Sequence, residues 1–216
     1  MPPPRPRKTR VLRKRRRVVM PQDLTHTEGM PPGTFFTNQF LIAMPALADP
    51  NFSHTVTYIC EHTPDGALGI VINRALDLDL AVVLEHMKIT PSAPNIGGHP
   101  VFLGGPVQTE RGFVLHSPLG ECNSSVRVTD SMAVTTSRDI LEAMAEGRGP
   151  EKVLVALGYA GWGPGQLEVE MAQNSWLNSP ADPTIMFDTP IEKRWEAAAA
   201  LMGVDLRLLS SSVGHA

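Results

Sequence analysis

Apolar positions are dense from Phe35 onward and fall in short, strand-sized runs separated by glycine, proline and asparagine. Residues 40–44 and 56–61 read as strands, the second with Val56, Tyr58 and Cys60 alternating onto one face. Pro64-Asp65-Gly66 is a turn signal, and residues 67–73 read as the returning strand of a hairpin. Asp77 or Asp79 can cap a helix that aligns Leu80, Val83, Leu84 and Met87 on one stripe. Residues 101–103 and 112–116 predict strands on either side of a Gly104-Gly105-Pro106 turn, with further strands at 126–129 and 132–135. A helix is expected from about 137 to 146, with Ile140, Leu141 and Met144 inward and Gly147 as its stop. Residues 152–158 predict a buried strand that runs into the glycine-rich stretch 161–165, followed by a short helix over 166–174. Another strand is expected at 184–187. Thr189-Pro190-Ile191-Glu192 has the form of a capping box with proline at the first helical position, opening a helix to Met202 that stops at Gly203. A short strand at 204–208 closes the pattern. Hairpins outnumber crossovers, which predicts an α+β fold rather than a doubly wound sheet.

Composition adds bounds to this picture. The chain has 216 residues, 42% of them apolar, enough to bury the core of one domain. No apolar run approaches the ~18 residues of a membrane-spanning helix, and Cys60 and Cys122 are too few for a disulfide framework. The net charge of −3 conceals an uneven distribution. Residues 1–30 hold nine basic side chains, crowded between Arg5 and Arg17, against only Asp23 and Glu28. Residues 31–216 hold ten basic and twenty acidic side chains. The expectation is a disordered, proline- and arginine-rich head over 1–30 and a single domain over 31–216. The head is not a secretory signal, because only residues 18–20 supply an apolar segment after the basic run. It reads either as an inert tail, with translation starting at Met20 or Met30, or as an arm for nucleic acid or an acidic partner. A soluble, cytoplasmic protein is expected, with no membrane partner, and the acidic body disfavours direct binding to duplex DNA.

No phosphate-cradling loop, G-x-S-x-G elbow or H-E-x-x-H motif is present, so no catalytic residue is assigned. Cys60 and His62, two apart on a strand, would share a face; the readings are a buried structural pair, a zinc site with two further ligands, or a reactive thiol. The expectation is no metal and no cofactor. His116 ends a strand whose hairpin begins near Arg111, a pair able to hold an anion around a neutral imidazole, or simply to satisfy turn carbonyls. Asn73, at a strand end, can cap or bind. Trp162 is ringed by glycines and followed by Gln166, Glu170 and Trp176, a combination that fits either a pocket wall with polar anchors or a tight structural corner.

Several motifs together resemble the YqgE/AlgH family of bacterial proteins. They are the run Phe40-Leu41-Ile42-Ala43-Met44-Pro45, the hairpin from Glu61-His62 to Gly66-Ala67-Leu68-Gly69 with Asn73, and Gly104-Gly105-Pro106-Val107. To these are added Val114-Leu115-His116, the stretch 158–168, Glu170, Asn174-Ser175-Trp176-Leu177 and the closing Gly214-His215-Ala216. The resemblance covers about residues 33–216 and leaves out the basic head. It implies a single domain in which a bent, bifurcated, mostly antiparallel sheet forms a pseudo-barrel flanked by helices. One branch of the family carries a label linking it to transcriptional control of alginate synthesis, but no DNA-binding motif is present here. The ligand-binding candidates are His62, Asn73, Gly104, Gly105, Arg111, His116, Trp162, Gln166 and Glu170. Three functions follow as expectations: a non-enzymatic binding or regulatory protein with an unidentified small-molecule or protein partner, an enzyme using His62 or His116 as base with Asn73 or Glu170, or a transcriptional regulator. At least three of His62, His116, Trp162 and Glu170 are expected on one concave surface, with Gly104-Gly105 permitting close approach of a ligand.

Overall fold

The computed structural model describes residues 35–210; the basic head and the closing Gly214-His215-Ala216 lie outside them. The strands are β1 (Gln39–Ala43), β2 (Val56–Thr63), β3 (Gly66–Val71), β4 (Ala75–Asp79), β5 (Pro100–Leu103), β6 (Val107–Ser117), β7 (Ser125–Arg127), β8 (Ala133–Thr135), β9 (Lys152–Trp162) and β10 (Trp176–Pro180). The helices are α1 (Leu80–His86), α2 (Arg138–Ala145), α3 (Gln166–Ala172), α4 (Arg194–Ala200) and α5 (Leu206–Ser210). One curled sheet runs β10-β1-β2-β3-β9-β6-β8-β7, with every join antiparallel. β5 leaves this path, lying parallel to β9, and carries β4 on its other edge. The fold is therefore α+β, a half-barrel with helices packed outside it.

The inside of the curl is filled by Phe40, Ile42, Tyr58, Ile70, Phe102, Phe113, Leu115 and Val134. Its end is closed by Ile185, Met186, Ala198, Ala199 and Leu206. On the outer face of the β5–β9–β6 half, α1 and α2 bury Leu80, Leu84, Ile140, Leu141 and Met144 against Val101, Val114 and Val155. Asp79 is the acid that caps α1, its Oδ1 accepting from the Ala81 N–H at 3.1 Å. On the outer face of the β1–β2–β3 half, Leu41, Ala43, Ile59 and Ala160 pack under Trp162, Leu167 and Trp176. Among the described residues no helix is long and apolar enough to cross a membrane.

Several elements differ from expectation. β9 continues as a strand to Trp162, so the tryptophan ends a strand and does not project from a loop. β4 and β10 are strands that the pattern did not announce; β10 carries Asn178 and Ser179 between its apolar residues. Residues Thr184–Asp188 form a π-helical turn, not a strand, with Asp182 Oδ1 accepting from the Thr184 N–H at 2.7 Å. Thr189 does not cap a helix, because its hydroxyl donates to the Thr184 carbonyl at 3.1 Å. The chain instead enters a 3₁₀ turn at Ile191–Lys193 and then α4. The expected closing strand is α5, which seats Leu206 in the barrel end; so short an apolar run has no period to separate strand from helix.

One residue-level difference changes the chemistry. Ile59 pairs with Gly69 while Glu61 pairs with Leu68, so Cys60 is the extra residue of a β-bulge. Cys60 stays with Val56 and Tyr58 inside the barrel, and the bulge sends His62 to the outer face alongside Ala67 and Trp162. The two side chains do not share a face. Burial pushes the Cys60 thiol far above its ordinary pKa, which leaves no thiolate for metal or nucleophilic work near neutral pH. Among the described residues no group of three or more His, Cys, Asp or Glu side chains is placed to hold a metal ion.

β9 changes neighbours where Gly104 and Gly105 meet it. Val155–Leu157 pair with β5, and Ala160–Trp162 pair with β3 on the same side. At the crossing the Gly104 N–H donates to the Leu157 carbonyl, and the Val71 N–H to the Gly104 carbonyl, both at 2.8 Å. A Cβ on Gly104 would stand 2.4 Å from the Gly158 carbonyl oxygen, and one on Gly105 2.2 Å from the Tyr159 carbonyl carbon. Gly105 also has φ +153°, a region that side chains resist. Gly105→Ala is expected to lower the unfolding free energy by about 3 kcal/mol or more, whereas Gly112→Ala, whose Cβ meets nothing within 4 Å, changes it by less than about 1 kcal/mol. Urea denaturation of the two variants checks this; equal midpoints would show that the crossing is not tight.

Candidate functional site

The register across three strands brings the first part of the site together. His62 pairs with Ala67, and Ala67 with Trp162, so the three side chains stand in a row on one face. Two strand spacings put the His62 and Trp162 backbones roughly 10 Å apart. α3 lies over this row, held by Leu167, which is fully buried. Gln166 Oε1 accepts from the Gly163 N–H at 3.1 Å and closes the turn that starts the helix.

The polar groups here are bonded to one another, except that Glu168 Oε2 is buried without a partner. Glu170 Oε2 accepts from the indole N–H of Trp162 and of Trp176, each at 2.9 Å. Glu170 Oε1 accepts from Gln166 Nε2, also at 2.9 Å. The two indoles and Phe52 pack edge to face or tilted-stacked, with centroids 5.4 to 6.1 Å apart. His62 Nδ1 accepts from the Phe36 N–H at 3.0 Å, so its proton sits on Nε2, which faces Glu168 Oε1 at 3.1 Å. Phe36 stacks on the imidazole and Phe35 meets it edge-on. Burial lowers the His62 pKa, with the Glu168 carboxylate pulling the other way. The ring is neutral at neutral pH, and both of its nitrogens are occupied.

The remaining candidates lie elsewhere. His116 pairs with Val153 near the start of β9. Trp162 is nine residues further along that strand, up to roughly 30 Å away. The His116 Nδ1–H donates to the Pro118 carbonyl at 3.1 Å, so Nε2 accepts from the Thr135 hydroxyl at 2.9 Å. Thr135 in turn meets the Ser125 hydroxyl. His116 is fully buried, and burial lowers its pKa. Arg111 does not flank it: its guanidinium lies 5.5 Å from the Phe113 ring centre and donates to Thr136 Oγ1 at 3.3 Å. Asn73 ties two backbones together, Oδ1 accepting from the Val56 N–H at 2.8 Å and Nδ2 donating to the His54 carbonyl at 2.9 Å. Gly104 and Gly105 are approached closely, but by the β9 backbone. The structure thus gathers His62, Trp162, Gln166 and Glu170, and places His116, Arg111, Asn73, Gly104 and Gly105 apart from them. Glu168, Phe36 and Phe52 complete the gathered group. Of these, Glu168 ends the stretch 158–168 already singled out, and the Phe35-Phe36 pair shows as an aromatic start to the apolar pattern.

The model of the AlgH-like family (DUF179) matches residues 40–207. The chain is 59% identical over 182 residues to a UPF0301 protein of Nitrosococcus oceani, an alignment spanning 84% of this chain and 97% of that one. It is 64% identical over 181 residues to one of Thioalkalivibrio sulfidiphilus, with the same coverage of 84% and 97%. Among solved structures, the solution structure of the AlgH protein from Pseudomonas aeruginosa is similar with TM-score 0.70 and 51% identity, over 87% of this chain and 100% of that one. A Corynebacterium diphtheriae protein shares the fold at TM-score 0.64 and 19% identity, over 84% and 95% of the two chains. The chain belongs to the AlgH-like family.

Two outcomes test this geometry. Glu170→Ala strands two buried indole N–H groups at about 1–3 kcal/mol each, so a loss of about 2–5 kcal/mol and a red-shifted tryptophan emission are expected; an unchanged urea midpoint contradicts the clamp. The second concerns pH. Both buried histidines have folded-state pKa values below the unfolded ~6.5, so the unfolded chain takes up protons first as pH falls. Stability is complete above about pH 6.5 and declines below it, by up to about 1.4 kcal/mol per pH unit for each histidine. His116→Gln is expected to flatten the fall between pH 7.5 and 5.5. An unaltered slope contradicts a neutral, buried imidazole.

Proposed function

We propose that this AlgH-like chain acts in the cytoplasm by binding a partner, small molecule or protein, and not by catalysis. One observation carries the reading: the Glu170 carboxylate accepts three N–H donors at 2.9 Å, two of them from buried indoles. A general base or a substrate-polarising group needs a lone pair aimed at the reacting atom; both His62 nitrogens are engaged, and Glu170 is turned toward its three donors. What the network supplies is rigidity. It fixes α3 and the turn over residues 163–165 on the sheet, and this corner exposes Gly163, Pro164, Gly165 and Val169. Binding surfaces tend to be loops held by such a scaffold. In this reading His62, Trp162, Gln166 and Glu170 shape the surface from behind.

The same reading sets duplex DNA aside as a partner of the folded body. Residues 31–216 carry twice as many acidic as basic side chains, and phosphates repel such a surface at every contact. A chain lacking the basic head is expected to give no sequence-specific shift with duplex DNA in a gel at ~150 mM salt; a specific shift would restore the regulator reading in its direct form. For the binding reading itself, the measurement is affinity capture from cytoplasm with the intact chain and with Val169→Asp, matched for melting temperature. A species retained by the first and lost with the second supports it. A substrate turned over by the intact chain but not by His62→Gln sinks it.

A further inference from the structure

Beyond the α3 corner, the mouth of the half-barrel gathers cationic side chains that none of the preceding account uses. Arg194, the first residue of α4, is buried to 5% exposure. Its Nε donates to the Thr189 carbonyl at 3.0 Å and Nη1 to the Ile72 carbonyl, while its guanidinium sits 5.3 Å from the centre of the Phe102 ring. Among the described residues no carboxylate lies within ion-pair distance of it or of Arg74. Burial lowers the Arg194 pKa, opposed only by the charge of the exposed Glu192. Half-buried Arg74, two residues beyond Ile72, donates from Nη2 to the Ser53 carbonyl at 3.1 Å. The next residue, His54, is exposed, and its ring packs 4.4 Å from that of Trp195, the neighbour of Arg194. Asn73 Nδ2 closes the circuit on the His54 carbonyl.

These contacts form a closed path from Arg194 through Ile72, Asn73, His54 and Trp195 back to Arg194, and Arg74 branches from it next to Asn73 and bonds to Ser53, next to His54. That is unexpected on a body with twenty acids and ten bases. A buried cation without a counter-charge is costly. Guanidinium forks match oxyanions in geometry and charge.

We infer that the barrel mouth formed by His54, Asn73, Arg74, Arg194 and Trp195 is a binding site for an oxyanion group, phosphate or carboxylate, of a small molecule. Arg194 supplies the fixed buried charge, Arg74 and His54 the reachable donors, and the Trp195 ring an apolar wall. This site does not rest on the α3 reading, and its failure leaves that reading standing.

The test is a titration of the full chain, followed by amide and indole NMR signals, with sodium phosphate in one arm and sodium acetate in the other. Sodium chloride at matched ionic strength is the control. Saturable shifts at His54, Arg74 and the Trp195 indole are expected in at least one arm, and the arm that saturates identifies the group. Arg74→Gln, which removes a half-buried charge and leaves Arg194 in place, should weaken the effect at least fivefold with the melting temperature unchanged. His54→Asn, which tolerates the φ of +57° there, should weaken it as well if Arg74→Gln fails to fold. Shifts that stay linear in both arms, match those of chloride, or persist at equal strength in the folded variant overturn the site.

Discussion

The structure depends on one backbone contact, the crossing of Gly104-Gly105 over residues 157–160 of β9. A single strand serves both halves of the barrel because β5 can leave its side and β3 can take that side over within three residues. The handover needs main chain against main chain, with Cβ atoms absent on both partners, as Gly104, Gly105 and Gly158 show. The α3 corner and the buried His116 hang on opposite ends of that strand. Its last residue, Trp162, anchors the α3 corner, and its first residues pair with His116. The crossing therefore keeps the two histidines in separate structures instead of joining them in one.

The polar groups that look most like chemistry are the most thoroughly used. His62 gives its proton toward Glu168 and its lone pair to the Phe36 N–H, and His116 is tied between Pro118 and Thr135. Such networks specify a unique packing, although the one at His62 leaves Glu168 Oε2 buried and unpaired. The groups nearest the surface are the turn before α3, and Arg74 and His54 near α4. Both flank the loop that carries Phe52, whose ring packs on the two indoles while its neighbours Ser53 and His54 face the mouth.

The α+β class, the β2–β3 hairpin and the helices α1 and α2 were legible because strand alternation and helical stripes are local signals; the strands on either side of Gly104-Gly105-Pro106 do not pair with each other but lie on opposite sides of β9. The bulge at Cys60 was not. A single extra residue leaves the alternation looking intact on paper, yet it reverses the face of His62. The Thr189 box misled because its hydroxyl found a nearer acceptor in the Thr184 carbonyl, created by a π turn that no local pattern announces. Trp162, Gln166 and Glu170 meet, and helical spacing alone brings Gln166 and Glu170 together. That Glu170 would be consumed by two indoles depends on the β1–β10 pairing that positions Trp176, a contact between residues far apart in the chain. Arg194 and Arg74 were invisible as a pair for the same reason.

The central claim is that the two buried histidines are neutral structural groups, each held in a fixed tautomer. Imidazole ¹⁵N chemical shifts of the full chain at pH 7.5 test it most directly. The account predicts that His62 carries its proton on Nε2 with Nδ1 bare, and that His116 carries its proton on Nδ1 with Nε2 bare. A doubly protonated ring at either position, or rapid averaging between tautomers, would contradict it.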